Sequence, residues 1–312
     1  MLSTFSILLP IFGLILAGYA CRRFNVLGPT SASELNRFVV WLALPALLFR
    51  TLARASWKMF DKPGFIAAFW IACAVVFIAV LVARLLKGQH LADASIEGIA
   101  ASYPNVAYVG IPLCKLVFGP SSITFVMIAT ILVVCILFGC ALILIEFGLQ
   151  AERRPHRLIL KVLNRLMHNP LVVAPLAGTI VCVLQLPVPG ALEEFLDLLG
   201  TAASPCALVS LGLFLAQSRS DAKARHEVWW LTGVRLFVQP ALTWLLVTHV
   251  FHLQSMEVKA AVLLAALPTG TGPYMLAEYY EREAHITSRM ILLSTIGSLV
   301  TLSLLLPWIQ HQ

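Results

Sequence analysis

Two proline-led runs concentrate polar and backbone-freeing residues inside otherwise apolar sequence. They are Tyr103-Pro104-Asn105-Val106-Ala107-Tyr108-Val109-Gly110-Ile111-Pro112 and Leu267-Pro268-Thr269-Gly270-Thr271-Gly272-Pro273-Tyr274. Proline has no N–H and clashes with the preceding turn, so each run interrupts its helix and frees backbone groups. Free N–H groups at a helix start favour an anion; free carbonyls at a helix end favour a cation or a polar donor. Asn105 and Thr269 directly follow the two prolines. An amide or hydroxyl there either caps freed backbone locally or hydrogen-bonds a carboxylate. Gly270 and Gly272 allow a sharp turn and a close approach by a ligand or a crossing helix. Arg235, well inside another apolar run, is a cation for an incoming carboxylate or for a buried acid such as Asp197. Glu97, Lys115, Glu146, Asp197, His249 and Glu278 lie near the ends of apolar runs and read as interface anchors that snorkel.

Other chemistries find no footing. The sequence has no HExxH, GxSxG or P-loop motif and no paired acids at metal spacing, so no enzyme activity, metal site or cofactor is expected. The seven cysteines fall almost all within apolar runs, with no CxxC or Cys/His pairing, and read as small packing residues.

The elements that must hold these residues are dictated by composition. Of 312 residues 60% are apolar and only 12% charged, with a mean hydropathy of +0.89. The apolar residues come in long runs, so lipid is the solvent they suit and one membrane domain is the expected unit. The opening stretch, Phe5 to Ala20, lacks a basic leader and is followed by Arg22 and Arg23, so it reads as a retained first helix. Ten spans are expected, near residues 4–20, 35–53, 64–86, 96–118, 123–147, 169–186, 192–216, 228–251, 257–279 and 286–309.

Basic residues orient them. One set of alternate loops holds thirteen (Arg22, Arg23, Arg84, Lys87, Arg153, Arg154, Arg157, Lys161, Arg165, Arg219, Lys223, Arg225 and Arg282) and the other four (Arg54, Lys58, Lys62 and Lys259). The positive-inside rule then puts both termini in the periplasm of an inner-membrane protein, with residues 151–168 as the main cytoplasmic loop. Topology thus accounts for the net charge of +7 without a nucleic-acid partner.

Shifting the sequence by about 160 residues lays Ala17-Gly18 on Ala177-Gly178, Pro29 on Pro189, Glu34 on Glu194 and Pro45 on Pro205; a small slip then lays Pro104 on Pro268. With five spans in each half, 1–150 and 169–312, the second half enters the bilayer from the opposite side. That is the inverted-repeat plan of many secondary transporters, in which paired helix interruptions mark the binding site.

The segments LNRFVVWLALPALLF (Leu35 to Phe49), PNVAYVGIPL (Pro104 to Leu113), HNPLVVAPLAG (His168 to Gly178), ASPCALVSLGLFLA (Ala203 to Ala216) and LPTGTGPYMLAEYY (Leu267 to Tyr280) make the chain resemble, nearly end to end, a bacterial member of the auxin efflux carrier family. That family also includes malonate and malate transporters. The resemblance implies an all-α membrane protein of ten helices in two inverted five-helix repeats, with spans four and nine crossing at their broken centres. It implies a scaffold of spans one, two, six and seven beside a transport unit of spans three to five and eight to ten. Sliding of that unit gives alternating access, and plant relatives form homodimers. The expected substrate site, read from the two interruptions that this plan makes cross, is Tyr103, Pro104, Asn105, Gly110, Pro112, Pro268, Thr269, Gly270, Thr271, Gly272 and Pro273, with Arg235 beside them. The second-half crossing of many relatives has a polar residue such as asparagine soon after its first proline, where this chain has Thr269-Gly270-Thr271-Gly272-Pro273. Auxin specificity is therefore not carried over, and a small mono- or dicarboxylate is the expected substrate. A sodium-coupled symporter of bile-acid-like organic anions is one alternative, because the similar bile acid/sodium symporter family shares the crossed plan and uses sodium; no cluster of acidic and amide side chains around either break demands a sodium site, so the coupling ion, H+ or Na+, stays open. A membrane sensor binding the same ligand without moving it is the other alternative; its mark would be an appended soluble domain, for which Gln150 to Asn169 is too short.

Overall fold

The computed structural model describes residues 2–55, 61–150, 163–164, 167–217 and 222–311; among them there is no strand, only helices, turns and one isolated antiparallel bridge. Twelve helices follow in order: α1 (Leu2–Arg23), α2 (Ser31–Ala53), α3 (Pro63–Leu86), α4 (Leu91–Ser102), α5 (Ile111–Phe118), α6 (Pro120–Gly148), α7 (Pro170–Val183), α8 (Gly190–Gln217), α9 (His226–Val250), α10 (Ser255–Ala265), α11 (Gly272–Tyr279) and α12 (Ala284–His311). Six of these, α2, α3, α6, α8, α9 and α12, contain stretches long and apolar enough to cross a membrane. The expected loop at 151–168 lies for the most part outside the described residues.

Helix starts follow from local chemistry. At α7 the Asn169 side chain accepts from Leu171 N at 2.9 Å, and Pro170 fills the first position, where no donor is required. At α4 the ring nitrogen of His90 accepts from Ala92 N at 3.2 Å. The long helices show the pattern of a lipid-facing bundle. In α3, Ile71, Val75, Ile78, Val82 and Leu85 are exposed at helical spacing while Phe65, Phe69, Cys73, Val76 and Val80 face the core. With water absent on the outer side, both faces are apolar, and helix contacts depend on close packing.

Glycines supply that packing. Gly18 of α1 lies against the carbonyl of Val209 in α8, Gly212 of α8 against that of Ile15 in α1, and Gly178 of α7 against that of Phe49 in α2. A Cβ at any of the three would overlap a backbone oxygen of its neighbour.

One expectation needs correction here. Glu97 does not snorkel to an interface: it is wholly buried in α4 and paired with Arg84, which is itself buried at the end of α3. Arg84 also meets Glu227 at 2.8 Å and lies over the Trp230 ring, and Gln89 Nε2 donates to Glu97 at 3.1 Å. The reason is partnership, since a carboxylate with a guanidinium and an amide beside it remains inside where a lone one would leave. Nearby, Arg282 donates two bonds of 2.6 Å to Asp93. Glu283, in the turn after α11, has a carboxyl pushed up by burial and by Asp93 and Glu227, with Arg84 and Arg282 opposing.

Candidate functional site

Helix α4 stops at Ser102 and α5 resumes only after a π-helical turn, Val106–Gly110; α10 stops at Ala265 and α11 begins at Gly272. The two interruptions meet. Pro104 and Thr269 form the antiparallel bridge, in which Asn105 N donates to Pro268 O at 2.9 Å and Gly270 N donates to Tyr103 O at 3.0 Å. Each broken strand thus satisfies a donor and an acceptor of the other, which is how non-helical backbone survives at a buried position.

Several other freed groups find partners around the crossing. Thr269 Oγ1 donates to Ala100 O at 3.2 Å, at the end of α4, and Thr269 N donates to Ser294 Oγ of α12 at 3.1 Å. Asn105 O accepts from Val109 and Gly110 N. The carbonyls at the end of α10 go to Arg235: its Nε and one terminal nitrogen donate to Leu267 O at 3.0 and 2.8 Å, and that nitrogen also reaches Ala265 O at 2.6 Å. Arg235 sits in a π-helical turn of α9, Val234–Val238, and is 0% exposed. Asp197, the acid considered for it, pairs instead with Arg50.

A small cavity opens at the crossing, lined by Tyr103, Pro104, Asn105, Val106, Ala107, Gly270, Thr271 and Gly272 from the two breaks and by Leu44, Leu47, Val134 and Met275 around them. Its volume is about 20 Å³, room for about one water. The Tyr103 ring forms one wall: a Cβ on Gly270 would come within 2.8 Å of it and one on Gly272 within 2.7 Å, so both glycines are required for its seat. Asn105 occupies the N-cap position of the 106–110 turn, yet its side chain makes no cap hydrogen bond. The amide is not consumed by the backbone it follows. Thr269, by contrast, spends its hydroxyl on Ala100.

Seven of the sequence-derived residues therefore share the cavity or its wall: Tyr103, Pro104, Asn105, Gly270, Thr271 and Gly272 line it, and Pro268 holds Asn105 through its carbonyl. Four others do not line it. Gly110 packs against Leu264 and Leu267, Pro112 is exposed in the first turn of α5, Pro273 is buried in that of α11, and Thr269 is turned to α4. Sequence reasoning missed the apolar walls, which carry no signal distinguishing them from other core residues. It also missed Asn36 of α2, a buried amide whose Nδ2 donates to Met275 O at 3.2 Å and whose Oδ1 has no partner. An amide inside an apolar run was the available signal. The far larger groove, about 620 Å³, between α9, α10 and α12 is walled by Phe237, Trp244, Leu304 and Trp308 and belongs to the lipid-facing surface.

Comparison with known proteins fits this arrangement. Over 301 residues the chain is 29% identical to the "Putative malonate transporter" of Rhizobium meliloti (strain 1021), covering 96% of this chain and 94% of the relative. It is 26% identical to the "Uncharacterized transporter YfdV" of Escherichia coli (strain K12), covering 94% of each, and 23% identical to "Auxin efflux carrier component 8" of Arabidopsis thaliana, covering 90% of each. The family model described as membrane transport protein matches residues 3–306. A chain matched over nearly its whole length, folded into apolar helices, belongs to the membrane transport protein family of auxin efflux carriers and is a multi-pass membrane transporter, not an enzyme.

Proposed function

We propose that the protein is a secondary transporter of small organic anions, mono- or dicarboxylates such as malonate, which it binds at the crossing of its two broken helices. The observation that carries this reading is the Asn105 amide, which lines the cavity without a cap bond, beside the starts of the 106–118 helical segment and of α11. A carboxylate there meets an amide donor and two helix N-termini. The relative named for malonate supports the substrate class.

The movement is an elevator-like slide of the transport unit (α3–α6 and α9–α12) along the scaffold (α1, α2, α7 and α8). Repeat symmetry supports it: Gly18 packs on Val209 as Gly178 packs on Phe49, and both residues of one pair map onto the other with the shift that aligns the two halves. The cavity holds about one water, smaller than any carboxylate, so this conformation is closed and binding requires the units to part. Few polar links join them at the crossing, notably Asn36 to Met275 O, and Tyr274 OH to Ser210 O at 3.4 Å. Both termini face the periplasm in this scheme, and its coupling ion, where one is used, is H+ or Na+.

The test is a thermal-shift screen of purified protein against malonate, malate, succinate, lactate and indole-3-acetate, with and without sodium, followed by uptake into proteoliposomes. A shift by one acid, lost in Asn105→Ala, is the expected result. No shift with any acid and no uptake would overturn the organic-anion reading.

A further inference from the structure

Four half-helix ends converge on the crossing. The carbonyl ends of α4 and α10 each carry about half a negative charge; the N–H ends of the 106–118 segment and of α11 each carry about half a positive one. Summed over the four ends the backbone charge is close to zero, so the pull of the two N–H ends on a carboxylate is offset by the two carbonyl ends beside them.

Arg235 breaks that balance. It brings a full positive charge, 0% exposed, fixed by three hydrogen bonds to Ala265 O and Leu267 O, and Leu267 is chained directly to the Pro268 that holds Asn105. Among the described residues no carboxylate lies within ion-pair distance of it, in contrast to Arg84, Arg50, Arg54 and Arg282, each of which has an acid. Four residues further along α9 the neutral Gln239 donates through Nε2 to Cys73 Sγ at 3.3 Å. Arg235 Nη1 and Gln239 Oε1 are both buried without partners. An ion buried so far from water is unfavourable unless counter-charge is supplied, and carbonyl dipoles supply only part of it.

We infer that Arg235 is the residue that makes the crossing select anions, acting as a fixed positive charge through the carbonyl end of α10 and not by touching the substrate. The inference rests on the anion reading above and adds the source of its sign. The substrate's carboxylate is then the counter-charge that the folded protein lacks. A purely structural arginine would serve the broken end of α10 equally for neutral and charged ligands.

Two variants separate these roles. Arg235→Gln keeps an amide donor for Leu267 O and removes the charge. Gln239→Glu keeps Arg235 and its carbonyl bonds but places an acid beside it, so that it remains informative if the first variant fails to fold. Full-length protein in nanodiscs is titrated with malonate and acetate and with their neutral counterparts malonamide and acetamide. The wild type is expected to prefer the acids, Arg235→Lys to keep that preference, and both Arg235→Gln and Gln239→Glu to weaken acid binding about tenfold or more while amide binding stays put. Equal weakening of acids and amides, or an unchanged preference in the folded variants, overturns the role given to Arg235. Wild-type protein with no preference for acids overturns this inference together with the anion reading, and so is distinguishable from failure of the inference alone.

Discussion

The backbone N–H of Asn105 donates to the carbonyl of Pro268 at 2.9 Å, tying the centre of one broken helix to the centre of the other. The bond exists because proline interrupts both helices, leaving each with backbone groups that the other helps to satisfy. Pro268→Ala restores an N–H and lets α10 run on. The expected outcome is a protein whose melting temperature holds or rises and whose uptake into proteoliposomes falls at least about tenfold; normal uptake would remove the break from the mechanism.

Asn105→Ala removes an amide that the backbone does not use. Stability should change by less than about 1 kcal/mol, because no cap bond is lost. Carboxylate affinity should drop about tenfold or more, the worth of a hydrogen bond to a charged group. Calorimetric titration beside a melting curve checks both halves of the statement.

Gly270→Ala pushes a methyl against the Tyr103 ring, which would lie 2.8 Å from it. Overpacking of this kind costs about 1–3 kcal/mol, and the displaced ring should fill the cavity. The variant is expected to melt lower and to lose its ligand-induced shift. Gly139→Ala in α6 is the control: a methyl there meets nothing within 4 Å, and removing a helical glycine stabilises by up to about 1 kcal/mol.

Glu97→Gln leaves buried Arg84 beside a neutral amide, with only the partly exposed Glu227 as its acid, and so removes the buried member of its pairing. Breaking a buried pair by removing one partner costs about 3–5 kcal/mol, far more than removing an exposed pair. Arg54→Ala, whose pairing with Glu193 is half in solvent, should change stability by less than about 1 kcal/mol. Denaturation of the two variants side by side measures the contrast.

Glu283 supplies a pH dependence of known sign. Burial and the carboxylates Asp93 and Glu227 raise its pKa above that of an unfolded glutamate, against Arg84 and Arg282. The folded state then binds its proton more tightly than the unfolded state does. The contribution is present at pH below the unfolded glutamate pKa and is lost as pH rises through the folded one. Glu283→Gln should flatten that part of the melting-temperature profile, and an unaltered profile would assign the dependence elsewhere.

By itself the sequence determined the solvent and the interruptions. Long apolar runs with few charges suit only lipid, and Pro104 and Pro268 forbid continuous helices whatever surrounds them, because proline's missing donor is a property of the residue. The glycines at 270 and 272 were legible for the same local reason. Partnership belongs to the tertiary structure. Nothing in the spacing of Glu97 and Arg84 distinguished an internal ion pair from an interface anchor and a loop cation, and nothing around Arg235 distinguished an acid from two backbone carbonyls as its partners. Which of Asn105 and Thr269 spends its polar group on backbone was likewise decided by distant atoms: Ala100 O takes the threonine hydroxyl, while the asparagine lines the cavity. Local conformation is written in each residue's own covalent geometry, whereas burial and pairing depend on residues scores or hundreds of positions away that meet only when the chain is folded.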